Sequence, residues 1–231
     1  LTDRLPVLLS VPHAGIEVPE EAEPYCVLTP AQIAEDGDEG AGRIYAVEGE
    51  VEAFATTHVA RAIVDLNRAE DDRRPDGVVK THTVFNVPVY DPFPPDGVVA
   101  DLLYRYYRPY HARLRALASG NVRLGIDCHT MLAVGPPIGP GPGEQRPAIC
   151  LGNADGTCPD AWLRAFGRAL ERTFEKPVSL NEPFKGGYIM RTHAAELPWV
   201  QLELSRAPFL SLDEKRIRLL EALRELLPRL G

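Results

Sequence analysis

Val7-Leu8-Leu9-Ser10-Val11-Pro12-His13-Ala14-Gly15 is the stretch that sets the fold class. Its first five residues hold four branched aliphatics and one small hydroxyl. That is the pattern of a short strand buried on both faces, as in a parallel sheet covered by helices. Four more runs read as strands: Ala62-Ile63-Val64-Asp65-Leu66, Leu124-Gly125-Ile126-Asp127, Ala148-Ile149-Cys150-Leu151 and Trp199-Val200-Gln201-Leu202-Glu203-Leu204. Helical patterns lie between them. Thr29-Pro30-Ala31-Gln32 combines a capping-box pair with Pro at the first helical position. Ile44, Val47, Val51 and Phe54 form one apolar stripe, and Leu103, Tyr107, Tyr110, Leu114 and Leu117 another. Trp162, Phe166, Leu170 and Phe174 mark a helix entered at Pro159. A second capping box, Ser211 to Glu214, opens a last helix that carries Ile217, Leu220, Leu223 and Leu227. This alternation predicts an α/β fold with a predominantly parallel sheet and helices on both faces. In such sheets the chemistry sits where strands end and loops begin.

The chain has 231 residues, 45% of them apolar and 25% charged, an ordinary balance for a folded domain. No repeat or low-complexity linker divides it, so 1–231 reads as one domain. No apolar run reaches the ~18–20 residues of a membrane helix. The net charge of −8, from 25 Lys+Arg against 33 Asp+Glu, argues against a nucleic-acid partner. Cys26, Cys128, Cys150 and Cys158 have neither disulfide-framework nor zinc-finger spacing, which fits a reduced, cytoplasmic compartment. No signal-peptide pattern is present, although a chain starting at Leu1 without Met leaves open a leader removed earlier. Oligomeric state is not written in any of these patterns. The stretch Gly135-Pro136-Pro137-Ile138-Gly139-Pro140-Gly141-Pro142-Gly143 excludes helix and strand. It is either a functional loop or a solvated insertion.

Two strand ends carry histidine: His13 after the first strand, and His129 in Asp127-Cys128-His129-Thr130. Two imidazoles at equivalent strand ends, with a carboxylate nearby, match the donor set of a catalytic zinc site with one open position. Asp36-Gly37-Asp38-Glu39 supplies candidate carboxylates, which helix-dipole preference alone would also explain. Glu203 lies between Leu202 and Leu204 in an apolar strand. A buried carboxylate must be paired, metal-bound or protonated, and a raised pKa would suit a general base. A solvent-facing place on an edge strand is the alternative. Lys185-Gly186-Gly187 reads as a flexible turn, and Arg191 as a candidate carboxylate clamp. Cys128 is not a nucleophile for His129, because adjacent strand residues face opposite ways. His111 reads as packing or support, and His58, His82 and His193 have no visible partner.

Taken in order, these elements resemble the N-formylglutamate amidohydrolase (N-formylglutamate deformylase) family. The matching pieces are Ser10-Val11-Pro12-His13-Ala14-Gly15, Asp36-Gly37-Asp38, Arg43-Ile44-Tyr45, Val64-Asp65-Leu66-Asn67-Arg68, Tyr107-Arg108-Pro109-Tyr110-His111, Asp127-Cys128-His129-Thr130, Leu151-Gly152-Asn153, Phe184-Lys185-Gly186-Gly187-Tyr188-Ile189 and Gln201-Leu202-Glu203-Leu204. The resemblance implies a zinc-peptidase-like, phosphorylase/hydrolase-like three-layer α/β/α sandwich with a mostly parallel mixed sheet and one divalent metal, normally Zn2+. It implies His13 and His129 as imidazole ligands, Asp36 or Asp38 as the carboxylate ligand with Asp38 favoured, and Glu203 as the base. Glu39, Gly42 and Thr130 depart from the family pattern, and the 135–143 loop has no counterpart in it.

The activity implied is hydrolysis of the N-formyl or N-acyl amide of a small anionic amino acid. Arg68, Lys185 and Arg191, with Arg61 behind them, are candidates to bind substrate carboxylates, and Arg191 also to hold the oxyanion. Asn67 and Thr130 would hydrogen-bond substrate or steady a ligand. A salt bridge to Asp65 is the alternative for Arg68, and a solvated hairpin tip for Lys185. A peptidase or longer-acyl deacylase of the same fold, and a non-catalytic metal-binding relative, are the competing functions. Histidine degradation is implied by the family name alone.

Overall fold

The computed structural model describes residues 4–230; Leu1 and Gly231, the ends of the expected single domain, lie outside them. In chain order the elements are β1 (Leu5–Val11), α1 (Pro30–Asp36), α2 (Ala41–Ile44), β2 (Val51–Thr56), α3 (Asp96–Leu102), α4 (Arg108–Leu117), β3 (Leu124–Met131), β4 (Ile149–Gly152), α5 (Asp160–Phe174), β5 (Val178–Leu180), α6 (Tyr188–His193), β6 (Trp199–Ser205) and α7 (Leu212–Leu226). A π-helical turn, Leu103–Tyr107, joins α3 to α4.

Six strands form one sheet in the order β2-β1-β3-β6-β4-β5. Every neighbouring pair is parallel except β4 and β6, which are antiparallel. The central strands are buried on both faces because successive side chains enter opposite cores. Val7, Leu9 and Val11 of β1 pack with α5 and α7, whereas Leu8 joins Ile63, Leu102, Leu114 and Trp199 on the other side. Gly125 of β3 lets Trp199 lie flat against the strand: an added Cβ would sit 2.4 Å from the indole.

Both capping boxes form, Thr29 with Gln32 at α1 and Ser211 with Glu214 at α7. Two readings of the sequence are corrected. The stripe Ile44-Val47-Val51-Phe54 is not a helix. The short α2 stops at Ile44, and Val51–Thr56 alternates buried and exposed as the edge strand β2. Ala62–Leu66 is not a strand but a buried turn, in which Ile63 and Val64 both donate backbone hydrogen bonds to the Ala60 carbonyl. A short apolar run cannot reveal by period which of these it is. Here side chains replace a neighbouring strand as partners. His111 Nε2 lies 3.0 Å from the Leu66 carbonyl, and the Tyr107 hydroxyl donates to the Arg68 carbonyl at 2.8 Å.

Candidate metal centre and active site

The carboxyl ends of β1 and β3 lie side by side and bring His13 and His129 together, with ring centroids 4.9 Å apart. Asp38 enters from the loop after α1. Its backbone N–H donates to the His13 carbonyl at 3.1 Å, and its Oδ2 accepts from the Thr130 N–H at 3.1 Å. Asp38 Oδ2 lies 3.0 Å from His129 Nδ1 and 3.7 Å from His13 Nδ1. One donor atom from each of the three residues falls within 4.8 Å of the others, and all three residues are buried.

Both rings turn the same way. His13 Nε2 donates to Asp65 Oδ1 and His129 Nε2 to Asp127 Oδ2, each at 2.9 Å. Carboxylates behind two imidazoles fix ring and tautomer and leave both Nδ1 atoms facing Asp38. Asp127 is itself held by the Ser10 hydroxyl at 3.2 Å and the Asn67 amide at 3.0 Å. Asp65 accepts from the Asn67 N–H at 2.9 Å and from Arg61 Nε at 3.1 Å. His13 Nδ1 is buried without a hydrogen-bond partner. An orphaned imidazole nitrogen beside a carboxylate and a second imidazole suits a divalent cation. His129 has a carboxylate at each ring nitrogen, so without a cation it needs both protons. Burial opposes that charge, but Asp127 and Asp38 outweigh it and hold the His129 pKa well above its usual value. Burial likewise works against the charge of Asp38, whose pKa the two histidines nonetheless hold well below the carboxylate range.

Asp36, the other candidate ligand, is turned away. It forms a fully buried ion pair with Lys80 at 2.8 Å and accepts from the Val84 N–H. Glu203 is buried and lies on the central strand β6, opposite His129 in the β3 register. The solvent-facing alternative therefore does not hold. Burial raises its pKa to about 7, with His129 opposing, and its Oε1 accepts from Gln201 Nε2 at 2.7 Å.

His13, Asp38, His129 and Glu203 line one cavity of about 270 Å³. Arg61, Arg68, Asn67, Thr130 and Lys185 also line it. Their side chains differ in what they have left to offer. Asn67 is fully engaged, giving Nδ2 to Asp127 and accepting from the Ile189 N–H at 2.8 Å. Both ends of its amide thus hold protein groups, and it steadies Asp127 behind His129. Gly187 permits this, because a Cβ there would sit 2.2 Å from the Asn67 amide. Arg61 is held by Asp65 and the Asp36 carbonyl. Arg68 pairs with Asp76 and approaches Asp65 at 3.9 Å. Thr130 donates its hydroxyl to the Glu39 carbonyl and accepts from Arg206 Nε. Lys185 is exposed at the cavity rim.

Arg191 is not brought to the cavity. Lys185-Gly186-Gly187 leads into α6 rather than a hairpin, and exposed Arg191 on that helix donates to the Gly186 and Gly187 carbonyls. Two arginines that sequence reasoning passed over do line the cavity. Arg206 follows β6 and donates to the Glu35 and Gly37 carbonyls and to Thr130, 3.6 Å from Asp38 Oδ1. Arg146 follows the Gly/Pro stretch, whose Pro136, Ile138, Gly139 and Pro140 line the cavity with it. That stretch forms part of the cavity wall. The signals available were a lone arginine after each of two unaligned turns, too little to select either.

A profile of the N-formylglutamate amidohydrolase family matches residues 5–210. An N-formylglutamate deformylase of Pseudomonas putida is 28% identical over 230 residues, covering 91% of this chain and 84% of its own length. An N-formylglutamate deformylase of Pseudomonas aeruginosa is 28% identical over 225 residues, covering 90% and 83%. The crystal structure of an N-formylglutamate amidohydrolase from Ralstonia eutropha JMP134 matches with a TM-score of 0.82 at 22% identity, over 98% of this chain and 95% of that one. A gene product of Agrobacterium tumefaciens matches at 0.72 and 18% identity, over 97% and 88%. With nearly all of the described chain inside the family profile, the protein belongs to the N-formylglutamate amidohydrolase family and is a hydrolase of carbon–nitrogen bonds other than peptide bonds.

Proposed function

We propose that this protein removes the formyl group from an N-formyl acidic amino acid such as N-formyl-L-glutamate, with a zinc ion held by His13, Asp38 and His129. The observation that carries the reading is the buried His13–Asp38–His129 cluster with Glu203 opposite His129 in the same cavity. Zinc at such a donor set supplies Lewis acidity, bringing the pKa of water towards ~7. Glu203 takes the proton of the attacking water, its burial-raised pKa placing it near the working pH. It then delivers that proton to the leaving amine. Asp65 and Asp127 keep the imidazoles aimed, and Arg206 and Thr130 keep Asp38 in place. Arg68 and Lys185 contribute positive charge at the rim for a small anionic substrate. We read 1–231 as one catalytic domain of the three-layer, zinc-peptidase-like kind, working in a reducing compartment. Four unpaired cysteines support that compartment, and no helix among the described residues is long and apolar enough to cross a membrane.

The test is a panel of N-formyl and N-acetyl amino acids assayed with zinc. N-formylglutamate should be hydrolysed fastest. Preference for longer acyl groups would make the protein a deacylase, and silence across the panel would reject turnover.

Metal uptake should also release a proton. The proton on His129 Nδ1 must leave before that atom can coordinate, and Asp127 and Asp38 favour its staying. Apparent zinc affinity should therefore rise with pH, by about tenfold per unit for one released proton, up to the pKa of His129. Calorimetry in buffers of different ionisation heat reads the release directly. Buffer-independent heats would contradict the doubly protonated ring.

A further inference from the structure

We propose that Arg146, presented by the Gly/Pro loop, is the receptor for a carboxylate of the substrate; this rests on the reading of the cavity as an acyl-amino-acid site. The loop leaves β3 and returns before β4 as a small closed excursion. Val134 pairs with Gln145, Gly135 N–H donates to the Glu144 carbonyl, and Arg146 N–H donates to the Ala133 carbonyl. Its tip is docked by the Ile138 N–H on the Val84 carbonyl at 3.0 Å. The fold thus places Arg146 at a fixed point of the cavity wall.

The guanidinium lies over the Phe184 ring, 4.9 Å from its centroid, which fixes its plane. Its one side-chain hydrogen bond runs from Nη2 to the Pro140 carbonyl at 3.0 Å, and Nε is buried without a partner. Nη2 carries two hydrogens, one on the edge shared with Nε and one on the edge shared with Nη1. Nη1 makes no hydrogen bond to the protein, and Nη2 keeps one hydrogen beside the one given to Pro140. A parallel pair of N–H donors is the complement of a carboxylate. Nε has no accessible surface for an acceptor, so a substrate carboxylate would meet the donors of Nη1 and Nη2. Arg61, Arg68 and Arg206, the other guanidinium groups on this cavity, already engage protein oxygens.

The experiment uses the zinc-loaded enzyme, Arg146→Met and Arg146→Lys. Substrates are N-formylglutamate, N-formylglutamine, which keeps only the α-carboxylate, and the α-amide of N-formylglutamate, which keeps only the side-chain carboxylate. Arg146→Met should raise KM for N-formylglutamate by about 30-fold or more with kcat nearly unchanged, and Lys should restore part of the loss. One of the two monocarboxylates should become indifferent to the substitution, which identifies the carboxylate held. A fall in kcat at constant KM, or equal losses on all three substrates, would overturn the assignment. If the parent enzyme hydrolyses none of them, the functional reading fails separately. Calorimetric binding of glutarate then decides: weakening in Arg146→Met supports the receptor, and equal affinity ends it.

Discussion

Replacing Glu203 by Gln should lower kcat by about 10²–10⁴-fold, the range of a positioned general base, while the zinc content stays that of the parent. The amide is nearly the size of the carboxylate and can still accept the hydrogen bond from Gln201. What it cannot do is carry a proton. The parent should also lose kcat on the acid side as Glu203 is protonated, and that limb should disappear in the variant's residual rate. Metal analysis and a pH–rate profile check both points. Loss of zinc from Glu203→Gln would make Glu203 a ligand instead, and a retained kcat would remove it from proton transfer.

His129→Ala should cost more, because the imidazole serves three partners at once. Its Nδ1 belongs to the donor cluster, and its Nε2 contacts Asp127. Its charge also holds down the pKa of Asp38. Substitutions behind a ligand cost about 10–100-fold in metal affinity, so removing the ligand itself should exceed that range. Activity should fall to background. Asp127 would be left buried without its imidazole partner and Asp38 with His13 and Arg206 alone, a loss of roughly 3–5 kcal/mol for a broken buried pair. Bound zinc by elemental analysis and unfolding in denaturant measure the two effects. A variant that keeps stoichiometric zinc would disprove the donor set.

The sequence was most legible where one residue had one environment. β1, β3 and β6 are buried runs, and the polar groups that follow or interrupt them, His13 after β1, His129 in β3 and Glu203 in β6, line the site. The capping boxes at α1 and α7 are local chemistry and read directly. β2 was missed because Val51 and Phe54 fit a helical spacing as well as an alternating one. Ala62–Leu66 misled because its partners, His111 and Tyr107, lie some forty residues away in sequence. Arg191 illustrates the same limit. It reads as a candidate carboxylate clamp, but α6 starts at Tyr188 and turns the side chain back to the Gly186 and Gly187 carbonyls before it. Asp65 and Asp127 were visible as acidic residues in strand-like runs. Their role depends on which imidazole nitrogen each one meets.

The site gathers residues from positions 13, 38, 129 and 203, from a loop and from strands that are neighbours in space and distant along the chain. Contacts of such long range form late, after the entropy of closing large loops has been overcome. A nascent or partly folded chain therefore lacks the complete donor set until β1 and β3 have paired and the loop after α1 has brought Asp38 to them. A cation bound there would add stability by mass action to the assembled sheet alone. A metal held by His13, Asp38 and His129 would thus report on the pairing of β1 with β3, because neither strand end alone offers the three donors.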